Sequence, residues 1–77
     1  MAVEDKDTRE AGAALQKAVK FDPGSVGAHN ALALLYEAVS DLPAAEKEYR
    51  TILALDRDNP AAKLGLARVR QALETNK

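Results

Sequence analysis

Residues 26–59 read VGAHNALALLYEAVSDLPAAEKEYRTILALDRDN, and this 34-residue stretch decides the fold. Its first half carries Ala28, Leu32, Leu35 or Tyr36, and Val39 at the spacing that lines one side of an α-helix, which predicts a helix over about 26–39. Ser40 and Asp41 break the pattern. Asp41 suits an N-cap, because its carboxylate accepts from an early helix amide. Pro43 suits the first turn that follows, where amides lack intrahelical partners in any case. A further helix then runs to about Leu55, with Ala45, Tyr49, Ile52, Leu53 and Leu55 as its apolar set. The stretch is thus a pair of helices joined by a tight turn.

Working outward, Asp56-Arg57-Asp58-Asn59 forms a turn, and Pro60 opens a helix to about Glu74 with the stripe Ala62, Leu66, Val69 and Leu73. Thr75-Asn76-Lys77 is expected to fray. Upstream, Asp22-Pro23-Gly24-Ser25 closes a helix over about 8–21, since Pro23 offers no amide and drives Asp22 out of the helical region. The stripe there is Ala11, Leu15, Ala18 and Val19. Asp7 and Glu10 have the spacing of a capping box, and Met1 to Lys6 is a polar lead-in.

Sliding the chain along itself by 34 residues aligns Asp7 with Asp41, Ala11 with Ala45, Asp22 with Asp56, Ala28 with Ala62, Leu32 with Leu66, Ala33 with Ala67 and Ala38 with Ala72. Val19 with Leu53, Phe21 with Leu55, Leu35 with Val69 and Val39 with Leu73 are conservative matches. These matches fall on stripes and caps, as a packing repeat requires.

With His29, Leu32-Ala33 and Tyr36 in its first helix and Ala45 and Tyr49 in its second, the stretch resembles the tetratricopeptide repeat family. The departures are His29 for the usual Trp, Ile52 for Ala and Arg57 for Pro. The preceding half-repeat keeps Ala11, Leu15, Ala18 and Asp22-Pro23. The resemblance implies an all-α fold of about four helices, in antiparallel A–B pairs stacked as a short right-handed solenoid. The expected organisation is a lead-in (1–6), a partial repeat (7–25), a full repeat (26–59), a C-terminal capping helix (60–74) and a frayed tail (75–77). A generic four-helix bundle is the alternative architecture.

Composition sets the functional classes. The chain has 77 residues, of which 47% are hydrophobic and 4% aromatic, with no cysteine and a net charge of −1. That is one small domain rich in helix formers. Mixed charges without a basic block leave no footprint for nucleic acid. The apolar runs fall short of the ~20 residues a membrane span needs. The polar N-terminus lacks the apolar stretch of a signal peptide, so a cytoplasmic location is the default expectation. No acid, base or nucleophile set assembles, and neither a cofactor nor a metal site is expected. His29, the one histidine, sits at a packing position and reads as structural. Glu46 and Glu48 with Lys47 and Arg50 read as a solvated face, Glu46 to Arg50 being an i,i+4 ion pair.

The resemblance implies a protein or peptide partner on the concave side, which this family lines with A-helix residues. Here these are Asn30, Leu34 and Glu37 on the second helix, and Leu64, Arg68 and Gln71 on the fourth. Leu34 and Leu64 lie off the packing stripes; they either pack on one another or receive a partner. Some relatives clamp a terminal carboxylate with Lys and Asn on successive turns of an A helix. The corresponding positions here are Asn30 and Leu34, and Leu34 cannot donate, so that clamp is not expected. The first helix lacks an A partner, which leaves Leu15, Val19 and Phe21 as a candidate self-association face. The alternative function is therefore a structural or scaffold segment that forms a homo-oligomer.

Overall fold

The computed structural model of the chain describes residues 6–75. Four helices run in order: α1 (Lys6–Phe21), α2 (Val26–Ala38), α3 (Leu42–Leu55) and α4 (Pro60–Thr75). No strand occurs among the described residues. Asp7 lies inside α1 in its first turn rather than at an N-cap, and Thr75 still belongs to α4, its hydroxyl donating to the Ala72 carbonyl at 3.0 Å. The rest of the expected lead-in and tail lies outside the described residues.

The two turns that bracket α2–α3 are built alike, one period apart. In the first, Ser25 N–H donates to the Asp22 carbonyl at 3.1 Å; in the second, Asn59 N–H donates to the Asp56 carbonyl at 3.1 Å. Each turn ends in an N-cap. Ser25 Oγ accepts from Ala28 N–H at 3.2 Å, and Asn59 Oδ1 accepts from Ala62 N–H at 2.9 Å. Between them Asp41 caps α3, taking Ala44 N–H at 3.4 Å. Each side chain satisfies an amide that would otherwise lack a partner at a helix start.

Helix α2 closes with a doubly bonded reversal. Asp41 N–H reaches back to the Tyr36 carbonyl at 2.8 Å and Ser40 N–H to the Glu37 carbonyl at 3.1 Å. This geometry places the residue after the cap in the left-handed region. That residue is Ser40, with φ 63°.

Packing follows chain order. Helix α1 lies on α2, α2 on α3 and α3 on α4, with a lighter contact of α2 with α4. Among the described residues α1 touches neither α3 nor α4. A closed bundle would bring its first and last helices together, so the arrangement is the stacked solenoid. The shape is a slab of 35 × 34 × 14 Å.

The core is Ala33, Ala45, Tyr49, Ile52, Ala62 and Val69, flanked by Val26, Tyr36, Leu42, Leu53, Leu66 and Leu73. Ala33 and Ala45 are both 0% exposed, and their small size lets α2 and α3 approach closely. On α4 the buried set is Ala62, Gly65 and Val69. The Tyr49 ring lies on Gly65 so closely that a Cβ there would fall 2.3 Å from the ring. Helix α1 has no buried residue. Its Leu15 and Val19 are half-buried, while Ala11 and Ala18, expected in the stripe, are exposed. Leu55, expected in the α3 stripe, is about half exposed at the last position of its helix.

Candidate partner-binding face

Helix α2 presents Asn30, Leu34 and Glu37 at i, i+4 and i+7, which is one side of a helix; α4 presents Leu64, Arg68 and Gln71 at the same spacing. What joins the two rows is an ion pair. Arg68 Nε donates to Glu37 Oε1 at 2.7 Å, and Arg68 Nη2 donates to Glu37 Oε2 at 2.7 Å. This fork-on-carboxylate geometry is specific in direction as well as distance. Because Glu37 and Arg68 face each other, Leu34 and Leu64, each one turn nearer the N-terminus of its helix, look to the same side.

The pair is anchored from below. The buried Tyr49 of α3 donates its hydroxyl to Glu37 Oε2 at 2.5 Å, and Arg68 Nη2 reaches the same hydroxyl at 3.3 Å. The Arg68 hydrogen bonds hold the Glu37 carboxyl below its ordinary range against the opposing effect of burial, and the Tyr49 bond adds to them. Burial, and then Glu37, push the Tyr49 phenol up to about 12. The three groups form one network linking α2, α3 and α4, with charge on its outer rim only.

Above that network the apolar pair is open. Leu34 is 51% exposed and Leu64 is 70% exposed, so they do not bury one another. Asn30 is half-buried and Gln71 is exposed, giving a neutral amide at each end. Of the six residues expected on this face, the structure joins Glu37 to Arg68 directly and leaves Leu34, Leu64 and Gln71 in solvent.

His29 is not part of this face. It is buried, its Nδ1 is 2.7 Å from Glu48 Oε1 and its Nε2 is 2.8 Å from the Pro23 carbonyl. Burial works to lower its pKa, but the hydrogen bonds to Glu48 and Pro23 outweigh it, and the net direction is upward. An ionised carboxylate and a carbonyl both accept, so only the doubly protonated ring donates to both. The histidine therefore pins α3 and the α1–α2 turn to α2. This corrects the reading of Glu48 as a solvated residue: it is half-buried against His29. The signal was available, because Glu48 lies three residues after Ala45 and four before Ile52, on the packed stripe. Glu46 does pair with Arg50, at 3.1 Å, and Arg70 of α4 also approaches it, at 3.6 Å. Among the described residues no group of acidic, histidine or cysteine side chains is placed to hold a metal ion.

A family profile for the tetratricopeptide repeat matches residues 2–69. The chain belongs to the tetratricopeptide repeat family. Membership makes it, in general terms, a protein-interaction or scaffold module, of a kind that is typically non-catalytic. A curated relative, the type IV pilus assembly protein PilF of Pseudomonas aeruginosa, is 40% identical over 53 residues, which is 69% of this chain and 21% of that protein. The chain thus spans about a fifth of the relative's length. No solved structure matches it. No described helix is long and apolar enough to cross a membrane.

Proposed function

We propose that the α2–α4 face holds a segment of a partner protein, extended or helical, with Leu34 and Leu64 as the apolar contacts. The observation that carries this is the exposure of two leucines, 51% and 70%, on neighbouring A-type helices whose Glu37 and Arg68 are already paired with one another. Exposed apolar groups held on a rigid frame gain free energy when a partner covers them. Asn30 and Gln71 offer hydrogen bonds that would fix the register of the segment. The relative's name speaks of pilus assembly, and a role in bringing the parts of a multi-protein structure together is in keeping with it.

The test uses peptides selected from a random display library on the immobilised chain. Binding should be lost in Leu34→Glu and Leu64→Glu, both exposed positions where glutamate does not disturb the helix. Selected peptides that bind both variants as well as the parent would refute the proposal. A second reading, a scaffold segment that associates with its own kind, is favoured by α1, which has no buried side chain and leaves Phe21 93% exposed.

A further inference from the structure

His29 is buried, at 8% exposure, and its ring bridges three parts of the fold. It sits on α2. Its Nδ1 meets Glu48 Oε1 of α3 at 2.7 Å, and its Nε2 meets the Pro23 carbonyl of the α1–α2 turn at 2.8 Å. The partner-binding reading makes no use of it. The Pro23 carbonyl has no other hydrogen bond among the described residues. Within the turn, Gly24 N–H donates to Asp22 Oδ1 at 3.2 Å and Ser25 N–H donates to the Asp22 carbonyl at 3.1 Å. Among the described residues the imidazole is the one polar link from this turn to α3.

Both acceptors need a proton from the ring, and a neutral imidazole carries only one. Loss of the other proton therefore forces a choice. A hydrogen bond to an ionised carboxylate is about twice as strong as one to a neutral acceptor. A bare ring nitrogen facing Glu48 would also set a lone pair against a full charge, whereas facing Pro23 it meets only a carbonyl dipole. So Nδ1 keeps the proton, and Nε2 turns a lone pair on the Pro23 carbonyl.

We propose that His29 is a proton-operated pin at the joint between α1 and the α2–α3 pair: charged, it fastens the turn over 22–25 to α3, and neutral, it holds Glu48 alone and lets the turn hinge. Each helix keeps its own backbone hydrogen bonds in either state, so the change is confined to the joint. The charged groups that bear on the ring are Glu48 of α3 and Asp22 of the turn; among the described residues α1 and α2 add none. Burial disfavours the charged ring, but the Glu48 and Pro23 bonds and the pull of both carboxylates outweigh it, so the pin lets go above 6.5. The Glu37–Arg68–Tyr49 network keeps its charges through that change, since Glu37 titrates below 4.5 and Tyr49 at about 12.

The chain has a single histidine, so its imidazole nitrogen resonances are unambiguous. Following them against pH by NMR gives charge and tautomer together. Solvent exchange of the Gly24 and Ser25 amides, corrected for the intrinsic rise of exchange with pH, reports on the turn. The expected result is a midpoint above 6.5 and a neutral form protonated at Nδ1. Protection at Gly24 and Ser25 should fall about tenfold across the same midpoint, the worth of one hydrogen bond from a charged donor. Amides in the middle of α3 and α4 should keep theirs. In Glu48→Gln the ring's midpoint and the turn's should fall together, and in His29→Gln the turn's protection should no longer vary with pH. A neutral form protonated at Nε2 overturns the proposal, because Glu48 and not the turn is then released. So does protection at Gly24 and Ser25 that stays level through the ring's titration, or a loss of protection in Glu48→Gln that stays at the parent's pH. The ring and turn titrations need only the parent chain, so they decide the matter even where a variant fails to fold.

Discussion

Replacing Gly65 by alanine should destabilise the chain, although the same change elsewhere in a helix stabilises it. Alanine is favoured over glycine inside a helix by about 1 kcal/mol. At Gly65, however, the new Cβ would lie 2.3, 2.4 and 2.7 Å from three atoms of the Tyr49 ring. Ordinary contact begins near 3.4 Å, so the ring must retreat by about 1.1 Å, the difference between 3.4 and 2.3 Å. It has little freedom to do so. Tyr49 is 1% exposed, and its hydroxyl is tied to Glu37 and Arg68. The alternative is for α4 to lift off α3 and loosen the packing of Ala62 and Val69. Forced overpacking costs about 1–3 kcal/mol, and a weakened hydrogen bond adds about 1 kcal/mol. After the helix gain is subtracted, the net loss is about 2 kcal/mol, or roughly 8–16 °C in Tm for a domain of this size. Gly27→Ala is the control, because a Cβ there meets nothing within 4 Å. It should be neutral or stabilise by about 0.5 kcal/mol. Urea denaturation followed by circular dichroism measures both. In a Tyr49→Leu background the penalty for Gly65→Ala should largely vanish. A Gly65→Ala chain as stable as Gly27→Ala, or a penalty undiminished in the Tyr49→Leu background, would refute the reasoning.

Three further outcomes are expected. Ser40 holds φ 63° where glycine is the favoured residue, so Ser40→Gly should raise stability by about 0.5–1 kcal/mol in the same denaturation assay. His29 has a raised pKa, so its contribution is fully present below the unfolded value of 6.5 and is lost as pH rises through the folded value; stability should decline over that window, and His29→Gln should flatten the decline. Glu37 has the opposite sign. Its carboxyl is held below 4.5, so its contribution is present above that value and is lost as pH falls through the folded pKa, a loss that Glu37→Gln should remove from the acid limb of the stability curve.

The helices were legible in the sequence because apolar spacing, Asp41, Pro43 and the Asp22-Pro23 turn all act locally. Their observed bounds lie within a residue or two of the expected ones. The repeat offset was legible for the same reason: its matches are packing and capping residues. The Gly65 contact was not, since a glycine carries no side chain to count in a stripe and its role shows only when the Tyr49 ring lies on it. Pairing across helices was hidden as well. The family resemblance placed Glu37 and Arg68 on one face but could not show that they meet, and Glu48 was given to solvent because charge alone was weighed there. Leu15 and Val19 were expected to be bare because the repeat register identified no covering helix for α1. In the fold they turn toward α2, and the exposed apolar positions of α1 are Ala11, Ala13, Ala14, Ala18 and Phe21.

The central claim is that the α2–α4 face receives a partner segment. Amide shift mapping with a display-selected peptide tests it most directly. The expected result is a set of shifted amides at Asn30, Leu34, Leu64, Arg68 and Gln71, with α1 and the outer side of α3 unmoved. Shifts gathered on α1 and α3, with Leu34 and Leu64 silent, would contradict it.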